Sequence, residues 1–269
     1  MESKFIKSDS HRGTSEKNQD RFFVSVRKND LFAIVADGVG GHSHGEVAAE
    51  MIIENLKRFY YTADDFPGKM ADSIEDASEN MRSVNRDMAT TIVLVYLKRG
   101  AKKHKLFYTW AGDSRLFLVS GNRRKIEKGA VLRERAENNM YILTEDDTVP
   151  WKYFFDKKIS VDEITQYPGR SRLYFSIPRD GDRMGDRIMS VDVEDGDTIF
   201  LCTDGLWELF EKQSDLLDQV IKMSSGETGI FKSIINEGIR SRPRVDNSAF
   251  VMIKIDKELF EIQYEKSFD

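Results

Sequence analysis

The chain has 269 residues, 40% of them hydrophobic, and its 41 Lys and Arg residues against 46 Asp and Glu residues give a net charge of −5. This charge balance gives no support for binding to nucleic acids or to acidic membranes, and no run of roughly 18 apolar residues predicts a membrane span. The N-terminus lacks the apolar core of a signal peptide, and the single cysteine, Cys202, lies in an apolar run. We therefore expect a cytoplasmic protein without an intrachain disulfide.

Runs rich in Val, Ile, Phe and Tyr, bounded by Gly, Asp and Asn, predict ten β-strands. In chain order they are Phe5–Ser8, Arg21–Val26, Leu31–Ala36, Thr90–Leu97, Lys105–Ala111, Arg115–Val119, Tyr141–Thr144, Arg187–Val193, Thr198–Thr203 and Ser248–Ile255. Several are separated by only a few residues. Such short links favour antiparallel hairpins, because parallel strands need long crossovers.

Apolar residues recur at helical spacing in segments that lie between groups of strands. They predict helices over Gly45–Tyr60, Met70–Met88, Asp215–Met223 and Thr228–Arg240. A shorter helix is expected to begin at Ser160, because Ser160 and Glu163 have the spacing of a capping box. Since helices do not alternate with single strands, the order argues against a Rossmann or barrel fold. It favours an α+β fold in which pairs of helices cover antiparallel sheets.

The chain shows no Gly/Ser-rich linker, no internal repeat and only 5 prolines, so we expect residues 1–269 to form a single domain. Two segments have the composition of surface insertions. One is the charged run Gly121–Asn139, and the other is Pro150–Arg170, which lies between two strand-like segments.

Five aspartates stand at the edges of hydrophobic runs, namely Asp20, Asp37, Asp113, Asp204 and Asp246. A carboxylate at the end of a buried strand is costly unless a positive charge meets it. Taken singly, each could be a turn residue or a helix cap, which is the commoner role. Five at one sheet edge would instead form a cage of oxygen ligands, which suits hard cations such as Mg²⁺ or Mn²⁺.

The motif Asp37-Gly38 adds a second kind of oxygen ligand to this picture. Glycine lets the backbone turn sharply and approach a ligand closely, so Asp37 could offer its carboxylate and Gly38 its carbonyl. Two cations a few ångströms apart would lower the pKa of a bridging water. The resulting hydroxide could attack phosphorus in line with the leaving group, without a protein nucleophile.

The motifs in order resemble those of the metal-dependent protein phosphatases of the 2C type, in their bacterial form. The resemblance runs from about Ser8 to Ile255. It is carried by Asn18-Gln19-Asp20, Asp37-Gly38-Val39-Gly40-Gly41-His42, Thr90-Thr91, Gly112-Asp113-Ser114-Arg115, Tyr141-Ile142-Leu143-Thr144 followed by Asp146, Leu201-Cys202-Thr203-Asp204-Gly205-Leu206-Trp207, and Asp246-Asn247.

The resemblance implies a four-layer αββα sandwich, with two central antiparallel sheets flanked by helix pairs, and hydrolysis of phosphoserine and phosphothreonine in proteins. It implies two Mn²⁺ or Mg²⁺ ions, with a third as an option. Asp37 would bridge the two ions with the Gly38 carbonyl on one, while Asp204 and Asp246 would hold the other. Asp20 would act through metal-bound water, and Asp113 with Asp204 would form the third site. Asn247 would support the set, and about residues 150–170 would be the flap beside it.

The chain also departs from the family pattern. Family members usually carry an arginine, which binds the substrate phosphate, at the position that is Ser15 here. Serine cannot supply the charged, bidentate fork of arginine. Arg12 is the candidate to replace it, with Lys17 as an alternative and an ordinary solvated charge as the simpler interpretation of Arg12.

Other departures lie at Val39, where many eukaryotic members have a histidine, at Asp147, where the motif has a histidine, and at residues 167–170. The changes at Asp147 and at residues 167–170 lie around the flap, so they bear on substrate preference more than on metal binding.

Two functions of different class remain open from the sequence. The first is an active phosphatase that acts on phosphorylated proteins, opposes a serine/threonine kinase and works as a monomer without nucleic acid or membrane. The second is a weakly active or inactive relative that serves as a binding module, which the loss of arginine at Ser15 motivates. A metal-dependent nuclease is disfavoured by the net negative charge and by the lack of a basic stripe.

Overall fold

The computed structural model describes residues 3–39, 44–121, 139–164, 167–178 and 184–268. Its strands are Ile6–His11 (β1), Asp20–Val26 (β2), Asp30–Asp37 (β3), Ile92–Lys98 (β4), His104–Ala111 (β5), Arg115–Val119 (β6), Met140–Ile142 (β7), Met189–Val193 (β8), Thr198–Cys202 (β9), Ser248–Lys254 (β10) and Tyr264–Ser267 (β11). Its α-helices are Gly45–Thr62 (α1), Met70–Val84 (α2), Val149–Phe155 (α3), Val161–Ile164 (α4), Asp204–Trp207 (α5), Gln213–Ser224 (α6) and Ile230–Ser241 (α7). Short 3₁₀ turns cover Pro67–Lys69, Met184–Arg187 and Leu259–Glu261.

The strands form two sheets in which every neighbouring pair is antiparallel. One sheet has the order β1-β10-β9-β6-β7, and the other has the order β11-β2-β3-β4-β5-β8. The inner faces of the two sheets pack against each other around side chains such as Val24, Val95, Leu116 and Val251. These strands carry apolar residues on both faces because each sheet is covered on its outer face as well.

Helices cover both outer faces. Helices α1 and α2 place one apolar stripe each, including Ile52 and Ile74, on the six-stranded sheet. Helices α6 and α7 cover the five-stranded sheet with residues such as Val220 and Ile235. The result is four layers, helix pair, sheet, sheet and helix pair, which confirms the predicted α+β fold.

Most predicted elements are present, and the differences concern their ends. Helix α2 ends at Val84 instead of Met88, because Asn85 has an extended backbone, and Val84 itself is 62% exposed. The predicted strand from Arg187 begins two residues later at Met189, after the turn Met184–Arg187. The sequence did not predict β11 or helix α3, which begins the flap.

The glutamate half of the predicted capping box is present at α4. The Glu163 carboxylate accepts hydrogen bonds from the Ser160 backbone N–H and hydroxyl, both at 2.7 Å. Most of the charged run Gly121–Asn139 lies outside the described residues. In the part of the chain that the structure covers, no helix is long and apolar enough to cross a membrane.

Candidate metal centre

The paired ends of β2 and β3 bring two aspartates side by side. Asp20 opens β2 and Asp37 closes β3, and the two face each other in the antiparallel register. The Thr-Thr motif at the next strand holds the backbone of Asp37. Thr90 Oγ1 donates to the Asp37 carbonyl at 2.8 Å, and the Asp37 N–H donates to Thr91 Oγ1 at 3.2 Å. The position of Asp37 is therefore fixed by its neighbours on both sides.

The five-stranded sheet contributes Asp204, which follows β9 and begins the short helix α5. The preceding residue, Thr203, joins the two sheets. Its hydroxyl donates to Asp20 Oδ2 at 2.7 Å and accepts the Ala249 N–H at 2.9 Å. This buried link sets the spacing between the strand ends that carry Asp20 and Asp204.

Asp113 lies in the turn between β5 and β6, and its surroundings are buried. Its carbonyl accepts a hydrogen bond from Trp207 Nε1 at 3.0 Å. The Arg115 guanidinium lies over the Trp207 ring, 3.4 Å from the ring centroid, and makes two hydrogen bonds to the Asp146 carboxylate at 2.9 and 2.6 Å. Arg115 and Asp146 therefore tie the turn of Asp113 to the segment that precedes the flap.

Three of these aspartates converge on one point. Asp37, Asp113 and Asp204 each offer a carboxylate oxygen, and these oxygens all lie within 4.8 Å of one another. They come from three different turns, between β3 and α1, between β5 and β6, and after β9. A group of this kind is unfavourable when all its members are ionised, because like charges in a poorly solvated site repel.

Burial and this repulsion together raise the pKa values of the aspartates. Burial raises the pKa of Asp20 to about 7, and the nearby charge of Asp246 adds to this effect. Burial also raises the pKa of Asp113 to about 7, and the charge of Asp146 contributes. The pKa values of Asp37 and Asp204 are raised well above the ordinary value, first by burial and next by the charges of Asp20 and Asp113 respectively.

The site fits a hard divalent cation. Its side-chain donors are carboxylate oxygens, which such cations prefer, and a bound cation would offset the repulsion among them. Among the described residues, Asp20 Oδ1 is buried without a hydrogen-bond partner. Gly38 leaves no room for a side chain, because a Cβ there would overlap the Gly45 carbonyl at the start of α1. The backbone of Gly38, the residue after Asp37, therefore packs tightly against the start of α1.

Asp246 and Asn247 lie at the other side of the cluster. The Asp246 side chain is 52% exposed, and its Oδ1 accepts the Asn247 N–H at 2.9 Å. It does not belong to the group of three within 4.8 Å, although its charge raises the pKa of both Asp20 and Asp204. Asn247 holds the N-terminal loop, since its amide donates to the carbonyls of Arg12 and Lys17 at 2.8 and 3.0 Å.

The basic residues of that loop have partners away from the cluster. Arg12 Nη1 donates to the Glu16 carbonyl at 3.4 Å, and Lys17 Nζ lies 2.9 Å from Glu46 Oε1. Ser15 is half-buried between them. Arg12 is exposed and makes this hydrogen bond within its own loop. Residues 40–43, which include His42, lie outside the described part of the chain.

Sequence analysis missed the charged residues that brace the site from behind. Asp147 accepts two hydrogen bonds of 2.7 Å from Arg187, forty residues later in the chain. Arg115 was recognised only as a member of a motif. The available signal was the charge of Arg115 at the start of an otherwise apolar strand, because a charged residue needs a partner when it is buried. No sequence pattern identifies that partner as Asp146.

Comparison with known proteins agrees with this geometry. The profile of the family described as Protein phosphatase 2C matches residues 8–230, which is most of the chain. A fold of two sheets between helix pairs, with aspartates at the sheet edge, is the architecture of a phosphatase of this kind. The chain belongs to the protein phosphatase 2C family.

Individual relatives are distant but extensive. The chain is 26% identical over 219 residues to the serine/threonine phosphatase stp of Listeria monocytogenes serotype 4b (strain F2365), covering 76% of this chain and 77% of that protein. It is 28% identical over 190 residues to the serine/threonine protein phosphatase PstP of Mycobacterium tuberculosis (strain CDC 1551 / Oshkosh), covering 70% of this chain and 33% of that protein.

Solved structures share the fold. The serine/threonine phosphatase of S. agalactiae superposes with a TM-score of 0.70 at 20% identity, covering 93% of this chain and 99% of that one. The catalytic domain of PstP in complex with two manganese ions superposes with a TM-score of 0.66 at 20% identity, covering 93% and 98%. These similarities confirm the predicted architecture.

Proposed function

We propose that this chain is an active, divalent-metal-dependent protein phosphatase that hydrolyses phosphoserine and phosphothreonine. The observation that carries the proposal is the convergence of Asp37, Asp113 and Asp204 within 4.8 Å, in a chain of the protein phosphatase 2C family. Relatives named as serine/threonine phosphatases support the substrate class. We expect phosphorylated proteins as partners, an opposing serine/threonine kinase, and action as a monomer in the cytoplasm.

The residues of the strand ends would hold the cations. We assign two Mn²⁺ or Mg²⁺ ions to Asp37, the Gly38 carbonyl, Asp204 and Asp246, with Asp20 acting through water and Asp113 with Asp204 at an optional third position. The PstP catalytic domain in complex with two manganese ions supports the number and the kind of the two ions. When bound, such ions lower the pKa of water between them and offset charge on the phosphoryl oxygens.

The protein supplies the rigidity that this chemistry needs. Thr203 spaces Asp20 from Asp204, and the motif Thr90-Thr91 fixes Asp37. Since these contacts are made by backbone and buried hydroxyl groups, the carboxylates are held in place before substrate arrives. Preorganised charges of this kind stabilise a transition state without the cost of reorganisation.

The test is hydrolysis of a phosphothreonine peptide by the full chain, with Mn²⁺, with Mg²⁺ and after chelation. The Asp204→Asn variant removes one ligand while keeping the side-chain shape, and Asp76→Asn on the exposed face of α2 is the matched control. We expect activity that requires the metal, a loss of at least about 100-fold in Asp204→Asn, and no change in Asp76→Asn. Activity that survives both chelation and Asp204→Asn would overturn the proposal.

The alternative is a weakly active or inactive binding module, and one observation favours it. Ser15 stands where the family has its phosphate-binding arginine, while Arg12 and Lys17 are bound to Glu16 and Glu46. The variant Ser15→Arg separates the two proposals. A wild-type protein that binds Mn²⁺ without turnover, with activity appearing only in Ser15→Arg, would establish the binding module. Comparable activity in both would establish the active enzyme.

A further inference from the structure

Asp147 stands at the junction of three segments behind the cluster of carboxylates. Its side chain is 2% exposed and makes two hydrogen bonds with Arg187, at 2.7 Å from Nη1 to Oδ2 and at 2.7 Å from Nη2 to Oδ1. Its carbonyl accepts the N–H of Tyr174, at the end of the flap, at 2.9 Å. A bidentate pair between arginine and a buried carboxylate is both strong and directional.

The same residue holds both polar groups of Gly112. The Gly112 N–H donates to Asp147 Oδ2 at 3.0 Å, and the Asp147 N–H donates to the Gly112 carbonyl at 2.9 Å. Gly112 immediately precedes Asp113, one of the three converging carboxylates. The position of Asp113 therefore depends on a turn that Asp147 clamps from one side.

The other side of this turn is closed by Thr91. Gly112 has a φ of +100°, which side chains rarely allow, and a Cβ at this position would lie 2.6 Å from Thr91 Cγ2. The Thr91 hydroxyl in turn lies 2.8 Å from the Ser114 hydroxyl and accepts the Asp37 N–H. Only glycine therefore fits the turn against Thr91, and the ion pair of Asp147 holds the turn from its other side.

Arg187 is itself held in one orientation. Its Nη1 also donates to the Trp110 carbonyl at 3.2 Å, and its guanidinium lies 4.2 Å from the centroid of the Phe175 ring. Because the guanidinium is fixed by a carbonyl, a ring and a carboxylate, it can orient Asp147 in a way that a flexible ammonium group cannot. The aspartate that replaces the family's histidine is thus matched by an arginine from another segment.

We propose that Asp147 and Arg187 form a positioning pair for Asp113. By fixing the Gly112 turn, the pair sets the affinity of the cation site that includes Asp113. The inference rests on the proposed function for its metal site, and it assigns to the pair no contact with substrate or ion. Groups that orient metal ligands from behind generally change metal affinity by roughly 10–100-fold when they are removed.

The test is a titration of the metal-free full chain with Mn²⁺ by isothermal calorimetry, together with its thermal unfolding. The Mn²⁺-binding step that is weakened or lost in Asp113→Asn is the Asp113-dependent step. Arg187→Met removes the ion pair, and Arg187→Lys keeps the charge without the fork. Arg27→Met is the matched control. Arg27 also makes a bidentate pair, with Asp30, and lies 4.0 Å from the centroid of an aromatic ring, but Asp30 is at the opposite end of β3 from Asp37.

We expect Arg187→Met to weaken the Asp113-dependent step by roughly 10–100-fold, with a smaller loss in Arg187→Lys. In the Asp113→Asn background, Arg187→Met should change the remaining Mn²⁺ affinities by less than about twofold, since both changes act through one carboxylate. Arg27→Met should lower the unfolding midpoint and leave every Mn²⁺ affinity unchanged.

The proposal is overturned if Arg187→Met lowers the unfolding midpoint as Arg27→Met does, while the Mn²⁺ affinity of the Asp113-dependent step stays within about twofold of the wild-type value. It is also overturned if wild-type protein has no step that depends on Asp113. If Arg187→Met does not fold, the same criteria apply to Arg187→Lys and to Asp147→Asn, which keeps an acceptor for Gly112. These outcomes are measured by binding alone, so they are distinct from a failure of wild-type protein to hydrolyse phosphopeptide.

Discussion

The clustered carboxylates should make the metal-free protein less stable as the pH rises, and Asp37→Asn should stabilise this metal-free form. Asp20 and Asp113 each have a folded-state pKa of about 7, against an ordinary value of 3.8, because they are buried among like charges. Between those two pH values the folded protein holds protons that the unfolded chain has released. Stability is therefore greatest below about pH 4 for these groups and is lost as the pH rises through 7.

The magnitude follows from the size of the shift. One pKa unit corresponds to about 1.4 kcal/mol. A carboxyl group with a pKa of about 7 therefore loses about 2 to 3 kcal/mol of stability between about pH 5 and about pH 7.5. Asp37 lies at the centre of the cluster, and the charges of Asp20, Asp204 and Asp113 all raise its pKa. Replacing it with asparagine removes the carboxyl group that the most like charges surround, which should stabilise the metal-free protein at about pH 7.5.

The assay is urea unfolding in the presence of a chelator at about pH 5 and about pH 7.5, followed by the same measurement with saturating Mn²⁺. With metal the order should invert. A ligand at 100 times its dissociation constant stabilises the folded state by about 2.7 kcal/mol, and Asp37→Asn should lose most of this gain. Asp76→Asn, on the exposed face of α2, should change stability by less than about 0.5 kcal/mol in every condition.

Two results would refute this reasoning. A gain in stability of wild-type protein between about pH 5 and about pH 7.5 in chelator would mean that burial and like charges do not raise the pKa values of these carboxyl groups in the folded state. An Asp37→Asn variant less stable than wild type in chelator at about pH 7.5 would mean that Asp37 contributes hydrogen bonds worth more than the repulsion it causes.

Three further predictions concern residues around the site. Gly205→Ala should abolish Mn²⁺ binding in calorimetry and hydrolysis together, because a Cβ there would overlap the Asn247 carbonyl and displace the loop that carries Asp246. Asp30→Asn should lower the free energy of unfolding by roughly 2 kcal/mol without changing hydrolysis. The reason is that Asp30 accepts hydrogen bonds from Arg27, Tyr60 and Tyr96 at the far end of β3. A loss of activity in a folded Asp30→Asn variant would contradict this. Cys202 should resist iodoacetamide in the folded protein and react in urea, as measured by mass spectrometry, because burial raises the pKa of its thiol; rapid labelling of the native protein would show that β9 opens.

The sequence predicts those site residues that a local sequence pattern identifies. An apolar strand that ends in Asp-Gly identifies Asp37 and Asp204 as edge residues, and antiparallel pairing then places Asp20 opposite Asp37. These inferences need only the apolar pattern of the strands and the conformational freedom of glycine. They hold because β2 and β3 are joined by a short hairpin loop, which fixes their register.

Periodicity is less reliable where an element stops. The stripe of apolar residues that predicted a helix over Met70–Met88 continues to Met88, which is buried, yet α2 ends at Val84. Met88 reaches the core from a loop, so its spacing from the helix is coincidental. Strand β11 was missed for the opposite reason, because Tyr264–Ser267 is a polar edge strand whose pairing with β2 is made by backbone hydrogen bonds.

The long-range polar contacts could not be predicted, and they are what turns a set of strand ends into a site. Asp147 and Arg187 are forty residues apart and are separated by the flap, so no local pattern connects them. Yet the replacement of the family's histidine by Asp147 is informative in the structure, because a buried carboxylate without a partner would be strongly destabilising. The buried carboxylate of Asp147 therefore needs a cation nearby, and Arg187 supplies that cation. The same reasoning applied to Ser15 gives the opposite result, since neutral serine needs no compensating charge. A departure that leaves a buried charge behind therefore identifies its own partner in the fold, whereas one that removes a charge identifies none, and the Ser15→Arg experiment measures what an arginine at that position adds to activity.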